Sequence, residues 1–251
     1  MKKFLSILLI ACLALSLCTF AAAEEAKTIK IGTIQALSGN SSVMGNMIEG
    51  GVDWAVELIN RDGGITIDGQ KYPIELIKKD SKSDVDTSIM AYKELASMGC
   101  VAIVGPHQAN IDIALAPVAE EVGTPIFMMG MDGRCTRKGE IGALTEPWTN
   151  MFLSQPSCDL QGAIQAKWCL EQGYNNIAVL YRVDNSYSYS LYYAFTAYVR
   201  NNGGNIVAAQ NFVAGDTDFS TQIMKMLEAN PDVANALKND DGQYLYFTAI
   251  N

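Results

Sequence analysis

Histidine is almost missing from this 251-residue chain, where His107 stands alone. Two-histidine zinc motifs are therefore excluded, and a His-dependent triad would have a single candidate. Positive charge is scarce as well, with 18 Lys and Arg against 27 Asp and Glu and a formal net charge of −9. Phosphate backbones are held by clustered Lys and Arg, so an extended nucleic-acid surface is disfavoured and no nucleic-acid partner is expected. The chain has no GxxxxGK[ST] phosphate loop, no GxGxxG fingerprint, no GxSxG elbow and no HExxH. None of its six cysteines form a CxxC pair, so no cysteine metal site follows, and no cofactor is implied. What is present is an apolar-rich globular composition, 49% hydrophobic and 18% charged, able to build a core. The length suits one large domain or two modest ones.

The N-terminus reads as a targeting signal over residues 1–23. Lys2 and Lys3 supply its positive start, Phe4 to Phe20 is almost wholly apolar, and Ala21-Ala22-Ala23 offers small residues before Glu24-Glu25. A membrane anchor is the rival reading, but the apolar run is slightly short of the roughly 20 residues a spanning helix needs. A lipid anchor at Cys12, within Leu9-Ile10-Ala11-Cys12, is the weaker alternative. The mature chain is expected outside the cytoplasm, in the periplasm or its equivalent. There Cys100, Cys135, Cys158 and Cys169 allow up to two disulfides in three full pairings. Cys135 and Cys158 flank a loop-rich segment and form the better candidate pair; Cys100 and Cys169 read as core thiols.

Strand and helix patterns alternate through the rest. Thr28–Leu37 reads as a strand, followed by a helix with Ile48, Val52, Ala55, Val56 and Ile59 on one face, ended by Gly63-Gly64. Strand Tyr72–Lys78, helix Asp84–Met98, strand Cys100–Val104, helix Ile111–Val122 and strand Thr124–Met129 follow. A polar stretch from Met131 to Thr149 then sets a boundary between lobes at 24–146 and 147–251. Beyond it come strand Met151–Gln155, helix Asp159–Gln172, strand Asn176–Tyr181 and helix Tyr189–Asn201. Strand Ile206–Phe212, helix Phe219–Ala229 and strand Tyr244–Ile250 complete the series. This alternation predicts an α/β chain of two doubly wound parallel-sheet lobes, with a ligand crevice at the carboxyl ends of the strands. The apolar last strand carries no closing helix, which predicts an incomplete chain.

Four features past strand ends could carry chemistry. Ser38 lies in a strand-to-helix turn, which favours backbone N–H groups beside a ligand over a nucleophile. His107, in Gly105-Pro106-His107-Gln108-Ala109-Asn110, reads as a hydrogen-bonding wall residue; as a catalytic base it lacks an evident partner. Asp132 and Asp184 can meet a ligand or stay solvated. Tyr187 falls at a loop-to-helix junction, where its ring and hydroxyl can face the crevice.

Ile29-Lys30-Ile31-Gly32 through Leu37-Ser38-Gly39, Gly51-Val52-Asp53-Trp54-Ala55-Val56-Glu57-Leu58-Ile59-Asn60 and Gly63-Gly64-Ile65 resemble the leucine/isoleucine/valine-binding family. Val104-Gly105-Pro106, Gly123-Thr124-Pro125-Ile126 and Gly215-Asp216-Thr217-Asp218-Phe219-Ser220 continue the resemblance in the family's order, from about Thr28 to the end. These are type I periplasmic substrate-binding proteins of amino-acid ABC importers. The resemblance implies two α/β lobes joined by three hinge strands, of which this chain carries about the first two thirds. It implies an extracytoplasmic receptor that binds an amino acid or a related amine or amide by hinge closure. Such a receptor is not an enzyme, acts as a monomer and delivers its solute to a membrane permease. Matched positions place Gln108, Ala109, Asn110, Gly130, Asp132 and Tyr187 around the ligand. Ala109 stands where the family carries a hydroxyl, and an Asp at 132 would attract an ammonium. The alternatives are a ligand-sensing receptor ectodomain of the same fold and an exported α/β enzyme using His107 or Ser38.

Overall fold

A computed structural model describes residues 27–229, so the expected signal peptide and the expected strand Tyr244–Ile250 lie outside the described residues. The first unit is a five-stranded sheet in the order β4-β1-β5-β6-β7, with every neighbouring pair parallel. Its strands are β1 (Ile29–Gln35), β4 (Ile74–Asp80), β5 (Ala102–Val104), β6 (Ile126–Met128) and β7 (Met151–Leu153). Helix α1 (Ser42–Arg61) leads from β1 to β4, α2 (Val85–Ser97) from β4 to β5, and α3 (Ala109–Val122) from β5 to β6. The chain therefore steps one way for α1 and the other way for α2 and α3. With right-handed crossovers, that puts α1 on one face of the sheet and α2 and α3 on the other.

Burial along the strands agrees with this placement. Ile34, Ile103, Ile126, Met128 and Met151 form one buried cluster with Tyr92 and Leu95 of α2 and Ile111 and Leu115 of α3. The alternate residues Phe127 and Phe152 point to the other face, stack at 5.2 Å and remain 44% exposed each. On that face α1 covers Thr33 and Gln35, and its Glu49 accepts from Thr33 Oγ1 and pairs with Lys78. The expected apolar stripe of α1 is only half covered, and Ala55 and Ile59 are exposed.

One element escaped the sequence reading. Ile65–Ile67 (β2) and Gln70–Tyr72 (β3) form an antiparallel hairpin across Asp68-Gly69. Both turn residues are left-handed, at φ 51° and 81°, which is the two-residue turn that suits the twist of a hairpin.

The polar stretch after β6 holds a short 3₁₀ turn (Gly133–Cys135) and folds back on itself through an Arg137–Pro147 bridge. Its Lys138 reaches Glu120 of α3 and Glu146. The chain then returns to the first sheet, because β7 pairs with β6. The passage to the second unit thus falls after Leu153. The second unit pairs β8 (Asn176–Arg182) with β9 (Asn205–Phe212) in parallel, with α4 (Cys158–Glu171), α5 (Ser186–Asn201) and α6 (Ser220–Glu228). Ala166, Ile177 and Val199 form its core. Gly162 allows α4 to lie close on α5, since a Cβ there would fall 2.8 Å from the Leu191 carbonyl oxygen.

The four described cysteines are free thiols, so the expected Cys135–Cys158 bridge is not formed in this structure. These two thiols instead donate to carbonyls, Cys135 to Ala109 at 3.7 Å and Cys158 to Tyr187 at 3.6 Å.

Candidate functional site

A cavity of about 330 Å³ opens where strand ends of the two units meet. Four short segments line it: Ser41 before α1, His107–Asn110 after β5, Met129–Met131 after β6, and Asp184–Tyr187 after β8. All four follow the carboxyl ends of parallel strands, where crevices form in open α/β sheets.

The β5–α3 loop is held tightly. Gly105 has φ 92°, and a Cβ there would lie 2.2 Å from Gln35 Nε2 and 2.3 Å from the Ile34 carbonyl oxygen, so only glycine fits. The Gly105-Pro106 peptide is cis. The Gly105 N–H donates to the Phe127 carbonyl, and the Met129 N–H donates back to Pro106, which stitches this loop to the end of β6. Gln108 caps α3 in extended conformation without a side-chain cap bond, and Ala109 and Asn110 open the helix at the cavity. From the second unit, the Asn185 side chain caps α5 by accepting the Ser188 N–H at 2.9 Å. Two helix starts, one from each unit, therefore present their positive ends to one space.

Ionised groups are few around it. Asp184 is the one acidic residue of the lining, and it already accepts from Arg182 Nε at 2.7 Å and from the Ala214 N–H at 3.2 Å. The Arg182 hydrogen bond holds its carboxyl below the ordinary carboxylate value. Burial lowers the pKa of His107, leaving a neutral imidazole at neutral pH. The Tyr187 hydroxyl donates to Gln161 Oε1 at 3.4 Å, and burial raises its pKa. The wall is otherwise made of amides, hydroxyls and backbone.

Of the residues expected around a ligand, Gln108, Ala109, Asn110, Gly130 and Tyr187 come together around this cavity. Asp132 does not, and that expectation is corrected. It is fully buried beneath the lining and caps the 3₁₀ turn, accepting from the Arg134 N–H and Nε on one oxygen and from Nη2 on the other. Both carboxylate oxygens are committed, so no oxygen is left to draw in an ammonium. Ser38 Oγ donates to Asp80 Oδ2 at 2.6 Å and serves the turn instead of pairing with His107. Ser41, Met129, Met131, Asn185 and Ser186 joined the lining unannounced. Asn185 carried a usable signal, an Asn just before a helix and just after an apolar strand. Among the described residues no group of three His, Cys, Asp or Glu could hold a metal ion, and no helix is long and apolar enough to cross a membrane.

The periplasmic binding protein family model matches residues 28–244, nearly the whole chain beyond the apolar N-terminus. The chain belongs to that family. The Leu/Ile/Val-binding protein homolog 7 of Brucella abortus is 28% identical over 233 residues, covering 92% of this chain and 57% of its own length. The chain therefore spans a little over half the length of that relative. Among solved structures, the branched-chain amino acid binding protein LivJ of Streptococcus pneumoniae, in complex with isoleucine, is 30% identical with a TM-score of 0.61. That match covers 80% of this chain and 54% of that one. A solute-binding protein from R. palustris in complex with 4-hydroxybenzoate shares the fold at 21% identity and a TM-score of 0.63, over 82% and 52% of the two chains. This family member thus has the parallel α/β architecture of type I periplasmic binding proteins, with its first lobe the more complete among the described residues.

Proposed function

We propose that this chain is the ligand-gripping part of an extracytoplasmic solute receptor that serves an ABC importer. The reading rests above all on one observation, the cavity into which a helix start from each of two α/β units points. Such a geometry suits a small solute with an anionic group, since helix starts offer N–H donors and a positive field. Gln108, Asn110, Asn185 and Tyr187 add neutral hydrogen-bonding groups that select its polar remainder. The isoleucine-bound relative supports a solute of the amino-acid class, and the 4-hydroxybenzoate-bound one a small organic acid; both ligands carry a carboxylate.

Function follows from bridging. A solute held by both units favours the closed arrangement, and a permease recognises that arrangement and receives the solute unchanged. The receptor is exported, most simply by the cleaved N-terminal signal. Titration calorimetry of the full-length protein with amino acids, their amides, polyamines and 4-hydroxybenzoate tests the proposal. Saturable heat with a carboxylate-bearing member, weakened in Tyr187→Ala, supports it. Silence across the panel, or chemical turnover of any member, defeats it.

A further inference from the structure

Asp112 joins two walls of the cavity from behind. It lies in the first turn of α3, three positions after Ala109, and is fully buried. Its Oδ2 accepts the Gly130 N–H at 2.7 Å, while Oδ1 has no hydrogen-bond partner. Ala109 and Gly130 both line the cavity. Their approach is close: a Cβ on Gly130 would fall 2.2 Å from Asp112 Oδ2 and 2.8 Å from the Ala109 Cα. The carboxyl is thus packed against the back of the surface on which a solute would rest.

The groups facing Asp112 give its negative charge no compensation. The Cys135 thiol of the 3₁₀ turn lies beside it and is itself held protonated by burial. The Arg134 guanidinium is taken by Asp132 and reaches Glu140 as well. Asp159 at the start of α4 is half-buried with its pKa raised by burial, and adds no positive charge. His107 and Tyr187 are neutral on the cavity side. Burial accordingly raises the Asp112 pKa well above the ordinary carboxylate value, against one opposing hydrogen bond from Gly130.

We infer that Asp112 is a positioning residue of the solute site: uncharged, it fixes Gly130 against the start of α3 and leaves that helix end positive for the solute's anionic group. Ionised, it places a negative charge within the first turn and cancels the field the solute uses. Solute affinity is thereby coupled to one proton held behind the wall. The inference rests on the binding reading above and adds a pH dependence to it.

The test is calorimetry of the full-length protein and its Asp112→Asn variant with isoleucine and with 4-hydroxybenzoate, from about pH 5 to about pH 9, the range into which buried carboxyls are lifted. Asn keeps an acceptor for Gly130 and never ionises. Wild-type affinity is expected to fall about tenfold as pH rises, while the variant stays flat at the wild type's acid-side affinity. His107 is present in both proteins, so any part of the profile that it causes survives the substitution. Identical profiles in the two proteins, or a variant weak at every pH, overturn the inference and leave the binding reading standing. No binding of either probe by either protein overturns both. Asp112→Ser, which retains an oxygen acceptor without charge, is judged by the same criteria if Asp112→Asn does not fold.

Discussion

Tyr92 of α2 donates its hydroxyl to the Thr124 carbonyl at 2.5 Å, tying the helix to the chain just as it enters β6. The ring is fully buried in the first unit's core, so this polar contact sits at the edge of an apolar cluster. Tyr92→Phe keeps the ring and removes the donor, and is expected to cost about 1 kcal/mol in urea unfolding. An unchanged midpoint would show that the bond contributes nothing net.

The same residue predicts behaviour in alkali. Burial pushes the Tyr92 phenol from 10.0 up to about 12. The folded state therefore prefers the neutral phenol. Its contribution is whole below the unfolded value and drains away as pH rises through about 12. Unfolding followed across that window is expected to show a steeper loss in the wild type than in Tyr92→Phe.

Gly45 of α1 meets the end of β1 so closely that a Cβ would lie 2.1 Å from the Ala36 carbonyl oxygen. That oxygen belongs to backbone and cannot swing aside. Gly45→Ala is expected to displace α1 and destabilise by about 1–3 kcal/mol, despite the better helix propensity of alanine. Thermal unfolding checks the sign, and a stabilised variant would contradict the packing.

Asp132 and Tyr187 are separated by their roles. Asp132→Asn breaks the two-oxygen pairing with Arg134 and is expected to cost about 2 kcal/mol of stability. Tyr187→Ala is expected to leave stability less affected and to weaken solute binding roughly tenfold. Denaturation and calorimetry on both variants tell the two apart; a reversed pattern would restore Asp132 to the ligand.

The thiols offer a direct chemical check. Burial pushes Cys158 up to about 12 and raises Cys100, Cys135 and Cys169 as well. Iodoacetamide at neutral pH is expected to label the folded protein slowly and all four sites after unfolding without reductant. A disulfide-linked peptide joining residues 135 and 158 in mass spectra would contradict the free thiols.

Much of this architecture was legible because its signals are local and repetitive. β1, α2, α3 and β8 were placed within a few residues by apolar periodicity alone. The β2–β3 hairpin was missed although Asp68-Gly69 announces its turn, because strands of three residues carry too little pattern to stand out. Met151–Leu153 reads in the sequence only as a strand, and that it joins the first sheet beside β6 is a tertiary fact no local pattern carries. Of the six residues that the family resemblance places around a ligand, Gln108, Ala109, Asn110, Gly130 and Tyr187 lie on the lining of one cavity, because each follows the end of a parallel strand. Asp132 lies off that lining because Arg134, two residues on, captures its carboxylate, a local pairing that sequence position alone does not reveal.

The cavity is assembled from four loops that lie far apart along the chain, each following the end of a parallel strand. If the cavity binds solute as proposed, its selectivity can drift one loop at a time. Under the proposed binding role, a substitution at Ser41, whose side chain caps no helix, would retune one side of the cavity while the strands that hold the other three loops keep their shape. Descendants of one scaffold could thus acquire new cargoes by single replacements, with no redesign of the fold.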